Sequence, residues 1–155
     1  MITIREIQGN EEDYNWWLTI MPDVMYNLKL LPKNVSSKLN YSVESLNILE
    51  QYIIENYSIE ELKQSEYKTV ADLFSRYIGE TFRKHIKDTI WEMETREGYH
   101  GCGFPMINKK NNIPFTKVLP SSILFGAIAN AQENIIYKIG EYLSGILRHI
   151  MSKDK

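Results

Sequence analysis

The sequence predicts an α+β fold with N-terminal helices, a three-stranded antiparallel meander and a C-terminal helical region. Three observations carry that expectation. Val70, Leu73, Phe74, Tyr77, Ile78, Thr81 or Phe82, and Ile86 recur at steps of three and four, which marks one face of a long helix within Tyr67 to Trp91. Directly after it, Thr89 to Thr95 alternates, with Ile90, Glu92 and Glu94 on one side and Trp91, Met93 and Thr95 on the other, as a half-buried strand does. From Pro120 onward the helical spacing returns in Leu124, Ile128, Ala131, Ile135, Ile139, Tyr142 or Leu143, Ile146 and Ile150.

The elements follow in order. Met1 to Gln8 is expected as a short edge strand or extended arm, because Ile2 and Ile4 alternate with polar residues. Asn10 is a good N-cap, and Glu11, Glu12 and Asp13 suit the positive end of a helix dipole. That helix carries Tyr14, Trp17, Leu18 and Met21, and Pro22 kinks it or starts a second piece ending near Leu30. Of Trp16 and Trp17, one is expected in the core and the other at the rim. Leu31 to Asn40 is a connector too short to separate domains. Ser42 caps a helix to about Tyr57, and Ser58 caps Ile59 to Lys63. The long helix begins near Ser65 or Glu66. Asp72, Arg76, Glu80, Arg83, Lys84 and Lys87 are assigned to its polar side, and Arg83, Lys84 and His85 suit its C-terminal end. Gly79 is costly there by about 1 kcal/mol, so close approach of another backbone is expected to require it.

Arg96 to Gly103 is a glycine-rich loop. Phe104 to Asn108 and Phe115 to Leu119 are the expected second and third strands, joined by a turn at Asn108 to Asn112. The C-terminal region cannot be one helix. Ser121 to Met151 would span about 45 Å at 1.5 Å per residue, so a break is expected near Ala129 to Gln132.

At 155 residues the chain fits one domain, 1–155, with a helical part at about 10–87, a sheet at about 89–119 and C-terminal helices at about 120–151. The net charge of −2 offers no broad attraction to nucleic acid or anionic lipid, so neither is expected as a partner. One cysteine, Cys102, excludes an internal disulfide and suits a reducing compartment. The N-terminus lacks a signal-peptide core, and no apolar run is long enough to span a bilayer. The expected location is therefore cytoplasmic.

The candidate chemistry is thin. His100 and Cys102 lie two apart on the glycine-rich loop, but no third group orients them and the loop is poorly preorganised. His85, His100 and His149 are far apart in sequence and form no metal-ligand spacing. Glu80 has Arg76 four residues before it and Lys84 four after, and it could approach Glu92 or Glu94. Its expected role is a buried or half-buried ion pair that fixes the helix to the sheet. Lys109 and Lys110 are expected as a solvated turn. No catalytic residue, metal site or cofactor is implied.

The ordered set Tyr41-Ser42-x-Glu44-Ser45-Leu46, Tyr77-Ile78-Gly79-Glu80-x-x-Arg83, Trp91, Pro105 and Pro114-Phe115-x-Lys117-Val118 resembles an uncharacterised bacterial domain-of-unknown-function family of small cytosolic proteins. The resemblance covers roughly Leu39 to Tyr142. This chain departs from it at Lys87-Asp88-Thr89-Ile90, where many members carry Gly-Gly before the Trp. Such proteins resemble immunity proteins of bacterial toxin systems in size, composition and fold style, and the resemblance implies no catalytic residues. The expected function is thus a non-catalytic protein-binding protein, with a toxin or complex subunit as partner and Trp16, Tyr14 or Tyr99 as exposed anchors. The alternative is an enzyme or small-ligand-binding protein with a pocket between the long helix and the sheet, lined by Tyr77, Glu80 and Trp91. The chain is expected as a monomer or as a homodimer through its C-terminal helix.

Overall fold

The computed structural model describes residues 1–133 and 135–154. Helix α1 spans Ile4–Ile7, α2 Glu11–Thr19 and α3 Met21–Met25. A 3₁₀ turn at Tyr26–Leu30 leads to α4 at Lys33–Ser36. Next come α5 at Val43–Asn56, α6 at Ile59–Lys63 and the long α7 at Lys68–His85. Strands β1, Thr89–Met93, and β2, Pro105–Lys109, form an antiparallel hairpin, followed by α8 at Pro120–Gln132 and α9 at Tyr142–Lys153. The protein is mostly helical, with the hairpin set between helices.

Two expectations are corrected here. Met1 to Gln8 is not a strand. Thr3 caps α1, and Thr3 and Glu6 complete a capping box, with Ile4 and Ile7 turned inward. The meander has two strands rather than three. Trp91 lies opposite Ile107 in the hairpin. Phe115 to Leu119 is extended but joins the sheet at a single bridge, Ile107 to Val118, with N···O distances of 2.8 and 3.0 Å. Pro114 removes one donor at the start of that segment, and Pro120 starts α8 immediately after it, so no length remains for a ladder.

The core gathers on α7. Every residue from Ala71 to Gly79 is buried, so this helix has no solvated side over two and a half turns. The expected polar side is therefore wrong at Asp72 and Arg76, both wholly buried. Such a helix must satisfy its polar groups internally. Asp72 Oδ2 accepts from Arg76 Nε at 2.7 Å, and Asp72 Oδ1 accepts from the Ile4 amide and from Trp17 Nε1, each at 2.8 Å. Arg76 Nη1 donates to the Trp17 carbonyl at 2.7 Å, and its guanidinium lies 4.1 Å over the Trp17 ring. Burial pushes the Asp72 carboxyl up and the Arg76 guanidinium down from their ordinary values, and each charge resists that for the other. The pair bolts α1 and α2 to α7.

Behind α7, helices α5, α8 and α9 pack on one another, and α7 touches both α8 and α9. Buried Glu50 of α5 accepts from the Tyr142 and Leu143 amides at 3.1 and 2.7 Å, which ties the first turn of α9 to α5. No helix among the described residues is long and apolar enough to cross a membrane.

Candidate functional site

The residues singled out at the helix-to-strand joint do come together, and they pack. Tyr77 is wholly buried on α7. Ser45 Oγ donates to the Ser42 carbonyl at 2.6 Å, so the Tyr77 hydroxyl donates to Ser45 Oγ at 2.7 Å and accepts from the Tyr41 amide at 2.9 Å. The Tyr41 ring stacks on Tyr77 at 4.9 Å, and His85 Nε2 donates to the Tyr41 carbonyl at 2.9 Å. Burial raises the Tyr77 phenol above its ordinary value. Gly79 faces the indole of Trp91 rather than another backbone, because a Cβ there would overlap the ring. The expected reason for the glycine is thus corrected from backbone to side chain. Trp91 in turn stands edge-on to Trp17 with ring centroids 5.0 Å apart. Arg83 lies one turn beyond Gly79 and pairs with Glu80 at 2.8 Å. Glu80 is half-buried and ion-paired, but its partner Arg83 lies on the same helix, so the pair does not fix the helix to the sheet as expected, and Arg76 is held by Asp72. Tyr14, beside Trp17, has its phenol pushed up to about 12 by burial, with Glu92 adding to the shift and Arg83 opposing it.

The turn at this joint is tight. Asp88 takes φ 57°, the left-handed conformation that glycine favours and aspartate tolerates, and its carbonyl accepts from the Lys110 amide at 2.8 Å. Lys109, expected in solvent, is buried. Its Nζ donates to the Lys87 carbonyl at 2.6 Å and pairs with Asp154 at 2.8 Å, tying the hairpin to the end of α9.

One groove lies between the extended segment 114–119, the loop after β1 and the facing sides of α8 and α9. Its volume is about 1090 Å³. Met106, Phe115, Ile123, Ile146 and Ile150 supply apolar walls. Three of its charges form a network with Glu92. Glu94 accepts from Arg96 Nη2 at 2.8 Å, and Lys117 bridges Glu92 at 3.2 Å and Glu94 at 3.3 Å. The Arg96 hydrogen bonds, with Lys117 beside them, hold the Glu94 carboxyl down at about 2. Tyr99 is exposed on the rim with the Arg96 guanidinium 3.8 Å over its ring. His100 Nε2 lies 3.3 Å from Ser122 Oγ, and Cys102 is exposed. The second groove, about 360 Å³, lies between the 3₁₀ turn after α3 and the start of α7. Tyr77, Glu80 and Trp91 line neither groove.

Trp17 is the core tryptophan, and Trp16 stands exposed on the outer side of α2. A third feature was not foreseen. Ile135 and Ile139, assigned by spacing to a helical face, lie in the connection between α8 and α9. With Ile136 between them they are 61%, 45% and 72% exposed. The break falls where it was expected, since α8 ends at Gln132. The loop is nonetheless held. Asn130, buried on α8, accepts from the Ile136 and Tyr137 amides at 2.8 and 3.1 Å and donates to the Tyr137 carbonyl at 3.0 Å. The Tyr137 ring covers Gly145 of α9, and the Tyr142 ring covers Gly126 of α8. A Cβ at either glycine would overlap its tyrosine.

Among the described residues no group of three or more His, Cys, Asp or Glu stands close enough to hold a metal ion. Compared with protein-family models, curated proteins and solved structures, the chain matches none.

Proposed function

We propose that this chain is a non-catalytic protein-binding protein, acting as an immunity protein that neutralises a bacterial toxin. The observation that carries the reading is the exposure of Ile135, Ile136 and Ile139 on a loop that buried side chains hold in place. Burying one such side chain in a partner is worth roughly 1.5–3 kcal/mol, and an ordered loop loses little entropy on docking. The large groove supports the same reading, because Glu94, Arg96 and Lys117 pair with each other beside its apolar walls. Exposed Trp16 and Tyr99 are further anchors. The test is co-expression with the product of the adjacent gene in the source genome, where that product arrests growth. Growth should be restored, and the two purified proteins should elute together. Arrested growth with separate elution would sink the reading.

The second reading, an enzyme or small-ligand-binding protein, is favoured by one observation. The 1090 Å³ groove is about the size of small-molecule sites and brings His100 and Ser122 to its edge. A thermal-shift screen of metabolites in which a compound raises the melting temperature, and in which Ser122→Trp abolishes that rise, would move the assignment to this reading.

A further inference from the structure

We infer that the groove between the 3₁₀ turn after α3 and the start of α7 binds a small organic cation, with an alkylated ammonium group held against Tyr57, Tyr67 and Glu66. The inference goes beyond the protein-binding reading and stands whether or not that reading holds. It begins from the walls of the groove. Val24, Leu30 and Leu31 come from α3 and the turn after it, and Val70 and Leu73 come from α7. Tyr57 ends α5, and Tyr67 closes the 3₁₀ turn at Ser65–Tyr67 that leads into α7. Both tyrosines line the groove, and their rings meet at 80° with centroids 6.0 Å apart. An aromatic ring carries negative charge on its face, so neighbouring phenols attract a cation. The volume of about 360 Å³ suits a small molecule.

The charges select the occupant. Among the described residues that line the groove, Glu66 is the only charged side chain, and no lysine, arginine or histidine stands with it. The chain's own cations from the neighbouring segments are turned elsewhere. Lys68 pairs with Glu6 at 2.7 Å, and Arg5 Nη1 donates to the Gln64 carbonyl at 2.9 Å. Lys29 Nζ lies 3.5 Å over the Tyr26 ring, and Lys63 Nζ lies 6.0 Å from the centre of the Phe125 ring. Glu66 and then Glu61 push the Tyr67 phenol above its ordinary value, and burial holds the Tyr57 phenol up at about 12. Both rings are therefore neutral phenols beside carboxylates. An anion finds no counter-charge in this groove. A bare metal ion finds one carboxylate where it needs several oxygen ligands. An alkylated ammonium uses every wall: its charge faces Glu66, and its alkyl groups lie on the phenol rings and the aliphatic side chains.

The test titrates the full chain with choline, followed by calorimetry and by the amide chemical shifts. The comparison probe is the uncharged analogue in which carbon replaces the choline nitrogen, which keeps the shape and removes the charge. Choline should bind, should shift the amides around Leu31, Tyr67 and Val70, and should bind about tenfold more tightly than the uncharged analogue. Tyr67→Ala and Glu66→Gln should each weaken choline about tenfold. Glu66 is exposed, so Glu66→Gln keeps its fold even if Tyr67→Ala does not. Tyr57 is left in place because it packs on Phe74 in the core. No binding of choline at millimolar concentration would overturn the inference. So would equal binding of the uncharged analogue, which would make the groove merely apolar, or amide shifts confined to other parts of the chain. Choline binding that Glu66→Gln leaves unchanged would overturn it too. None of these results depends on whether the chain restores growth beside its neighbour's product, so the two readings fail separately.

Discussion

Replacing Gly79 tests the joint most directly, because the structure predicts that the effect changes sign with its neighbour. On an exposed helix, Gly→Ala stabilises by about 1 kcal/mol through backbone entropy. At Gly79 the new methyl would overlap the Trp91 ring, which is itself wedged edge-on against Trp17 and has little room to withdraw. Overpacking of this kind costs about 1–3 kcal/mol, so Gly79→Ala should lose roughly 1 kcal/mol net. Gly79→Val, with two more methyls in the same place, should lose about 3 kcal/mol. In a chain of this length that is a fall of roughly 6–12 °C in melting temperature. Removing the obstacle should reverse the sign. In a Trp91→Leu background, Gly79→Ala should stabilise by about 0.5–1 kcal/mol. Urea denaturation of the four proteins in the cycle measures both effects and their coupling. A Gly79→Ala protein more stable than the native chain, or an effect of equal size in both backgrounds, would refute the contact as the reason for the glycine.

Three further outcomes follow from buried polar groups. Asp72→Ala should lose about 3–5 kcal/mol, because it leaves Arg76 buried without its counter-charge, and Asp72→Ala with Arg76→Met should recover much of that by calorimetry. Glu94 has its carboxyl held down at about 2, below its ordinary value of 4.5. Its contribution is therefore present above the unfolded value and is lost as pH falls from about 4.5 toward 2. Urea midpoints of Glu94→Gln should accordingly fall less steeply than the native ones over that window. Glu50→Ala should lose about 1–3 kcal/mol by leaving the Tyr142 and Leu143 amides unpartnered. Hydrogen exchange at those two amides should quicken more than at the middle of α7.

The long helix, the capped helices before it and the first two strands were legible because spacing and capping residues are local signals. What was not legible depends on partners distant in sequence. Asp72 and Arg76 look solvated in a helical projection, and only Ile4, Trp17 and Ile2 supply the groups that make their burial possible. Lys109 looks like a turn lysine until Asp154 arrives from the other end of the chain. The third strand failed for a different reason. Its residues suit a strand, but a ladder needs length, and prolines at 114 and 120 leave room for one bridge. The Thr3–Glu6 capping box was a local signal that alternation of Ile2 and Ile4 concealed. The isoleucine loop was hidden by its own periodicity, since Ile135 and Ile139 keep the spacing of a helix that has already ended.

The residues from which a family resemblance was expected are occupied with holding the fold. Tyr77 secures the turn at Tyr41, Gly79 admits Trp91, Lys117 bridges Glu92 and Glu94, and Val118 makes the single bridge to Ile107. This division predicts two kinds of variant. Substitutions at the joint should lower the melting temperature and reduce binding only through the fraction of molecules folded, so the affinity of the folded protein stays constant when conditions restore it. Substitutions of Ile135, Ile136 or Ile139 should do the reverse, weakening affinity with stability unchanged. Measuring both quantities for Tyr77→Phe and Ile136→Asp separates the two. A Tyr77→Phe protein that is fully folded yet binds its partner poorly would place the joint in the interface and undo the division.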